Sequence, residues 1–486
     1  MNDAFSSITR PASVESAPAG SGSLTRSLGT LRLAVFVIAA VAPLAAVVGV
    51  LPVAMVFGSG ATLPFAFIIA TVVVGLFAVG YSAISREVVV GGAFYAYIAR
   101  GLGPVTGLGS AWVAVLSYTV FVPGGLSYLG FVMQTSVSDV LGYHVHWLWF
   151  SLGAWGLVSI LGYRRIDFSA RVIMFMILAE FVLLMIFDTG IVHTLKADAF
   201  PSESLNVQHL MQGAPGVAIL LAFTCYFGIE AAALYSEEVV SPEKSVSRAT
   251  YLAIAAIGVF YFLTSWITVG AIGPENIKSI PEEDVGLIYF KLSDQYISHH
   301  FTVVTQMAIV TSMFATILSL HSVASRYMFV LGRQQCLPAV LGRSHPKHGS
   351  PSNASLLVSL FSIVVIALAA SLGIHPMLGL GLVALGFAAV GVMFMQALTS
   401  LAIIAYFKGR ADRKRWNHLI APALAFVGLC GGLVMAIQNF EYLSGSQNAV
   451  VNILPVGIVI AMLGGMSYGL WIKIKRPKKF DLLLKD

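Results

Sequence analysis

Apolar residues run along this chain in long blocks, each closed by a short polar or charged stretch. The blocks cover approximately 33–57, 62–84, 105–134, 147–162, 169–190, 213–238, 250–273, 302–331, 354–373, 377–406, 418–439 and 450–472. A helix rises 1.5 Å per residue, so about 20 apolar residues match the hydrocarbon core of a bilayer. Twelve membrane-spanning helices are predicted. Residues 92–103 read as an interfacial helix or as the first turns of the third span. Residues 1–30 are rich in Ser, Gly and Pro and read as a disordered tail. The first apolar block is too long for the core of a signal peptide, and a second follows closely, so it reads as a retained span.

Composition and charge sharpen this picture. Of the 486 residues, 58% are hydrophobic and only 10% charged, whereas soluble domains carry roughly 25% charged residues. With the N-terminus inside, 25 of the 28 Lys and Arg residues fall on the inner side, and only Lys196, Lys278 and Lys291 on the outer. That bias is what the positive-inside rule demands, and it favours an even number of spans with both termini cytoplasmic. The net charge of +6 then reflects topology and contact with acidic lipids rather than nucleic acid.

Cys225, Cys336 and Cys430 suggest neither a disulfide framework nor a metal cluster. His299 and His300 have no further ligands nearby in sequence, so no metal and no cofactor is expected. The chain contains no GxxxxGK[ST] loop and no HExxH motif. An ATP-driven pump and an intramembrane zinc hydrolase are therefore not expected.

Two spans are interrupted. Pro43 lies in the middle of the first, in "FVIAAVAPLAAVVGVLP", and Gly228 in the middle of the sixth, in "FTCYFGIEAAA". Interrupted helices at corresponding places in two halves point to a transporter built from inverted repeats. Single packing residues are the alternative reading of each. Glu230 is the one charge in "GVAILLAFTCYFGIEAAALYS", and Glu180 is the one acid in "RVIMFMILAEFVLLMIF". Acids at membrane depth are costly and mark functional sites or buried pairs. Asp188 reads as interfacial. Of the inner-side charges, Arg86 and Glu87, and Glu237, Glu238 and Glu243 with Lys244 and Arg248, are either gating pairs or solvated loop faces. Ser241 and Pro242 suit the cap and first position of the seventh helix.

Three blocks carry a family resemblance: "VVGGAFYAYIARGLGP" (89–104), "YFGIEAAALYSEEVVSPEKSVSRA" (226–249) and "SVASRYMFVLGRQQCLPAVLGRSHPKHGSP" (322–351). In order and spacing they resemble the amino acid–polyamine–organocation (APC) permeases over about residues 25–475. The resemblance implies an all-α fold of twelve helices, a five-plus-five inverted repeat like that of the leucine transporters, followed by two more helices. It divides the chain into a cytoplasmic tail (1–30), a transporter core (31–407), helices eleven and twelve (408–475) and a C-terminal tail (476–486).

The same resemblance implies a substrate site at the two interruptions. Ala39, Ala40, Ala42 and Pro43 would supply the first helix, and Phe223, Thr224, Phe227, Gly228, Ile229 and Glu230 the sixth. The stretch "AAVAPLAA" lacks the glycine-rich turn with which many amino acid carriers hold a carboxylate, which leaves amines open as substrates. Glu180 falls near a position where several proton-coupled relatives carry a lysine. Helices one, five and eight meet in this fold, so His321 is expected beside Glu180, and both are candidates for proton coupling. The expected function is a secondary active transporter in a bacterial inner membrane, importing amino acids or related amines with protons. Exchange of an amino acid for an amine or polyamine is the alternative. Its partners would be substrate, protons and membrane lipids, with no nucleic acid and with the oligomeric state open, a monomer included.

Overall fold

The computed structural model describes residues 29–88, 93–164, 170–206, 208, 213–229, 242–411, 413–444, 449–477 and 480. Glu230, Arg165, Glu237, Glu238, Ser241 and most of both tails lie outside the described residues. Among those described, the regular elements are helices, and nine segments are long and apolar enough to cross a membrane. The chain is an all-α, multi-pass membrane protein.

The helices begin with α1 (Thr30–Val41), α2 (Pro43–Gly49), α3 (Leu63–Glu87), α4 (Ala93–Leu102) and α5 (Pro104–Leu141). They continue with α6 (Trp147–Arg164), α7 (Ala170–Leu195), α8 (Pro215–Thr224), α9 (Pro242–Ile272) and α10 (Ile288–Tyr296). The last five are α11 (His299–Arg333), α12 (Ser352–Ser371), α13 (Leu382–Tyr406), α14 (Ala421–Gln438) and α15 (Val456–Lys475). Ala93–Leu102 form a helix of their own. Gly103, at φ 95°, ends α4, and Pro104 takes the first position of α5, where its missing N–H costs no bond.

The 38-residue α5 runs through the middle of the bundle and packs against α6, α11, α12, α13 and α15. Hydrocarbon offers no hydrophobic drive for helices to associate, so close backbone approach through small residues has to supply the contact. A Cβ at Gly391 of α13 would collide with Ser117 of α5, and one at Gly101 of α4 with the Ala402 carbonyl of α13.

Two ends of the bundle are distinguishable by charge. At one, Arg86 Nε donates to Ser247 Oγ (3.2 Å), Glu87 pairs with Arg410, and Ser350 Oγ donates to the Tyr163 carbonyl beside Arg164. At the other, Gln306 bonds Asp139, and Trp266 Nε1 donates to the Pro201 carbonyl (2.9 Å). Lys196 and Lys291 belong to this second end, next to α7's last turn and within α10.

His375 precedes the tenth apolar segment at its start. Its Nδ1 accepts from the Met377 and Leu378 N–H groups (3.3 and 3.1 Å), the capping role that Ser or Asp usually fills. Burial lowers its affinity for a proton, and only the neutral ring keeps Nδ1 as an acceptor here. Its contribution to stability is thus complete above the ordinary imidazole range, about pH 6.5, and is lost as pH falls below it. Thermal unfolding at pH 7.5 and 5 should show the loss, and His375→Asn, which caps without titrating, should flatten it. An equal pH slope in both proteins would remove His375 as its source.

Candidate functional site

The first interruption follows from two residues. Pro43 has no N–H and disfavours helical geometry in the residue before it. Ala42 accordingly turns left-handed, at φ 51° and ψ 75°, and Pro43 becomes the first residue of α2. The Ala42 N–H still reaches the Ile38 carbonyl (3.2 Å), so α1 is complete up to the break. Leu44, in the first turn of α2, has no carbonyl four residues back in helical register. Its N–H donates instead to Glu180 Oε2 at 3.1 Å. Glu180, buried on α7, thus places a carboxylate at the positive end of α2, where the free amides favour negative charge. Ser312 of α11 stands beside the same carboxylate, its hydroxyl outside hydrogen-bonding geometry.

At the second interruption α8 ends at Thr224 and the chain tightens. The Tyr226 and Phe227 N–H groups bond carbonyls three residues back (3.0 Å each) instead of four. Gly228 then takes φ 99°, which an L side chain rarely adopts. Tyr226 anchors this turn to α3 through a 2.5 Å hydroxyl contact with Thr71.

Both interruptions border one cavity of about 100 Å³. Val41, Ala42 and Ala45 form one wall, and Thr224, Cys225 and Phe227 another. Phe121 and Tyr128 of α5, Met313 and Thr316 of α11, and Leu382 and Leu385 of α13 complete it. No charged side chain is among these described lining residues. The hydroxyls of Thr224 and Thr316 donate to their own helices, to the Leu220 and Ser312 carbonyls. Both can still accept. The Tyr128 phenol lies over Gly49, where a Cβ would meet its Oη at 2.8 Å, and it bonds no described residue.

The expected residues divide accordingly. Ala42, Thr224 and Phe227 line the cavity. Pro43, Gly228 and Ile229 shape the breaks without lining it, and Glu180 lies just outside it at the start of α2. Ala39 and Ala40 belong to α1, but their side chains, like all of Glu230, lie outside the described residues. Phe223 faces the other way, its ring packed against Gly432 of α14.

His321 is not beside Glu180. Its Nε2 meets Ser359 Oγ of α12 at 3.1 Å, and its ring lies against Gly162 of α6. Nine residues separate it from Ser312, which is about 13 Å along α11 and roughly half a turn around it. Asp188, toward the end of α7, is buried among its neighbours, and Thr264 Oγ1 of α9 donates to it at 2.7 Å. Tyr128, Met313 and Thr316 were not legible as site residues, because they sit in unbroken apolar helices. Cys225 is also a lining residue that the sequence reading missed, although its place between Thr224 and Phe227 in the interrupted segment is a signal for it.

Residues 28–463 match the amino acid permease family. The branched-chain amino acid permease BcaP of Bacillus subtilis (strain 168) is 23% identical over 382 residues, covering 74% of this chain and 79% of that protein. An uncharacterized transporter of Mycobacterium tuberculosis is 23% identical over 437 residues, 90% of each chain. The chloroplastic cationic amino acid transporter 7 of Arabidopsis thaliana is 25% identical over 231 residues, 46% of this chain and 36% of that protein. The family match takes in both interruptions and every helix that walls the cavity. The chain belongs to the amino acid permease family.

Proposed function

We propose that this protein is a proton-coupled importer of amino acids with apolar side chains. It would work by alternating access around the cavity between its two broken helices. The observation that carries the reading is that cavity. Backbone polar groups at membrane depth must face protein or a water-filled space, and here two helix breaks converge on one small pocket. Its walls are aliphatic and aromatic, with hydroxyls as the described polar side chains, which suits an apolar side chain. The similarity to a branched-chain permease supports the same substrate class.

The nine long segments, together with the broken α1–α2, α6 and α8, give twelve spans in this reading. α1 and α8 are short because the chain breaks at their ends, and three tryptophans lower the hydropathy of α6. Residues 31–407 would form the five-plus-five core and 408–475 the last two helices. The arginine-bearing end that holds Arg86, Arg164 and Arg410 would face the cytoplasm of a bacterial cell.

Glu180 is the proposed proton carrier. An ionised carboxylate bonds the Leu44 N–H more strongly than a neutral carboxyl does. Protonation would therefore loosen the tie between α2 and α7 and shift the balance of conformations. Exchange of an amino acid for an amine is the second reading, favoured by the partial similarity to a cationic amino acid transporter.

Uptake into proteoliposomes tests both. Leucine uptake should rise when the outside is acid and fall when a protonophore collapses the gradient. Uptake that ignores the gradient but needs internal amino acid or amine would favour the exchanger. Lysine or putrescine transport with no leucine transport would overturn the apolar-substrate reading.

A further inference from the structure

A second and larger cavity, about 780 Å³, opens at the arginine-poor end of the bundle. It lies between the last turns of α5, the segment joining α5 to α6, α10 and the first half of α11. Nothing in the central site uses it.

Its decisive residue is Gln306 of α11, only 4% exposed. Gln306 Nε2 donates to Asp139 Oδ2 at 3.0 Å. A carboxylate only accepts, so this bond fixes which way the amide faces. The amide oxygen, Oε1, is then a buried acceptor with no donor. Such groups are costly and call for a partner.

The other charges add to the same deficit of donors. Asp294 of α10 accepts from Thr302 Oγ1 (2.6 Å) and is met by His299 Nδ1 at 3.3 Å, which hold it in place. Lys291 is the lysine of the lining, and its ammonium is engaged 2.7 Å from Asp284, which does not line the cavity. His144 Nδ1 contacts Ser138 Oγ at 3.1 Å, and His146 Nδ1 accepts from the Leu148 N–H at 3.3 Å. The cavity therefore presents two carboxylates and an orphaned amide oxygen, with its ammonium turned elsewhere. Phe290 offers an apolar face for a carbon chain. No group of three or more metal-ligating side chains occurs among the described residues, which directs the reading to an organic ligand.

We propose that this cavity is a binding site for a small organic cation carrying a primary ammonium group. The ammonium donates to Gln306 Oε1 and to the carboxylates of Asp139 and Asp294. A bound ligand bridges α5, α10 and α11 and so stabilises the folded protein against heat. The site is separate from the central cavity, so it stands or falls independently of what the protein transports.

The test uses the full chain in lipid nanodiscs, with 1,4-diaminobutane as the probe and 1,4-butanediol as its uncharged counterpart. Calorimetry should show binding of the diamine and not of the diol, with a rise in melting temperature. Asp139→Asn keeps the acceptor for Gln306 Nε2 and so keeps the fold. It should weaken binding by roughly tenfold, as should Asp294→Asn, through loss of a charge-assisted bond. Gln306→Met should do the same, while Lys291→Met leaves binding intact or tightens it. Cys225→Phe, which fills the central cavity, should leave it unchanged. Several outcomes overturn the proposal: no diamine binding by the native chain, binding indifferent to Asp139→Asn and Asp294→Asn, loss in Cys225→Phe alone, or capture of glutarate in preference to the diamine.

Discussion

Glu180→Gln should uncouple transport from the proton gradient while leaving the protein folded. The substitution isolates one property. A carboxamide oxygen can still accept the Leu44 N–H, whose 3.1 Å bond to Glu180 Oε2 holds the start of α2 against α7. A carboxamide cannot take up or release a proton. Uptake driven by a pH gradient should fall by roughly 5- to 150-fold, the range that typical coupling free energies represent. Counterflow with equal pH on both sides should survive within a few-fold. Glu180→Leu removes the acceptor as well and leaves a buried N–H unpaired, at a cost of about 1–3 kcal/mol. That variant should melt lower than Glu180→Gln. The pair separates the cap from the carrier. If Glu180→Gln retains gradient-driven uptake, the carboxylate only closes a helix end and the proton travels elsewhere.

That bond also shows where sequence reading stops. Pro43 and Gly228 were visible because proline and glycine act on their own backbone, wherever they stand. The apolar blocks were visible because a bilayer sets their length, and the lysine and arginine bias because it reflects membrane sidedness. Partners across the bundle were not visible. Nothing near Asp188 in the sequence announces Thr264 of α9, 76 residues later in the chain, as its donor. The expectation that His321 lies beside Glu180 rests on their helices meeting. Which face of α11 a residue occupies is fixed by packing, and His321 faces Ser359, 38 residues on. The same limit hid Tyr128 and Thr316, which line the cavity from helices that run through those positions without a break. It also misdirected Phe223, one residue from the cavity wall but turned toward Gly432.

The two breaks should respond in opposite ways to a change at their hinge residues. Gly228 holds φ 99°, outside the range that a side chain with a Cβ adopts without strain. Gly228→Val should lower stability by about 1–3 kcal/mol, the usual cost of such a backbone. It should also weaken substrate binding, because Thr224, Cys225 and Phe227 wall the cavity from the turn that Gly228 closes. Relief of the strain re-aims all three. Ala42 is the reverse case: it already carries a Cβ at φ 51°, a conformation that costs an L residue roughly 1–2 kcal/mol. Glycine there removes the strain and adds about 0.5–1 kcal/mol of unfolded-chain entropy. Ala42→Gly should therefore be close to neutral or slightly stabilising, with leucine binding nearly intact. Melting temperatures and leucine affinities of the two variants, measured side by side, decide the matter. Native-like behaviour in Gly228→Val, or a collapse of Ala42→Gly, would mean that the breaks are held by their surroundings. The hinge residues would then not set the geometry, and the cavity would not depend on them.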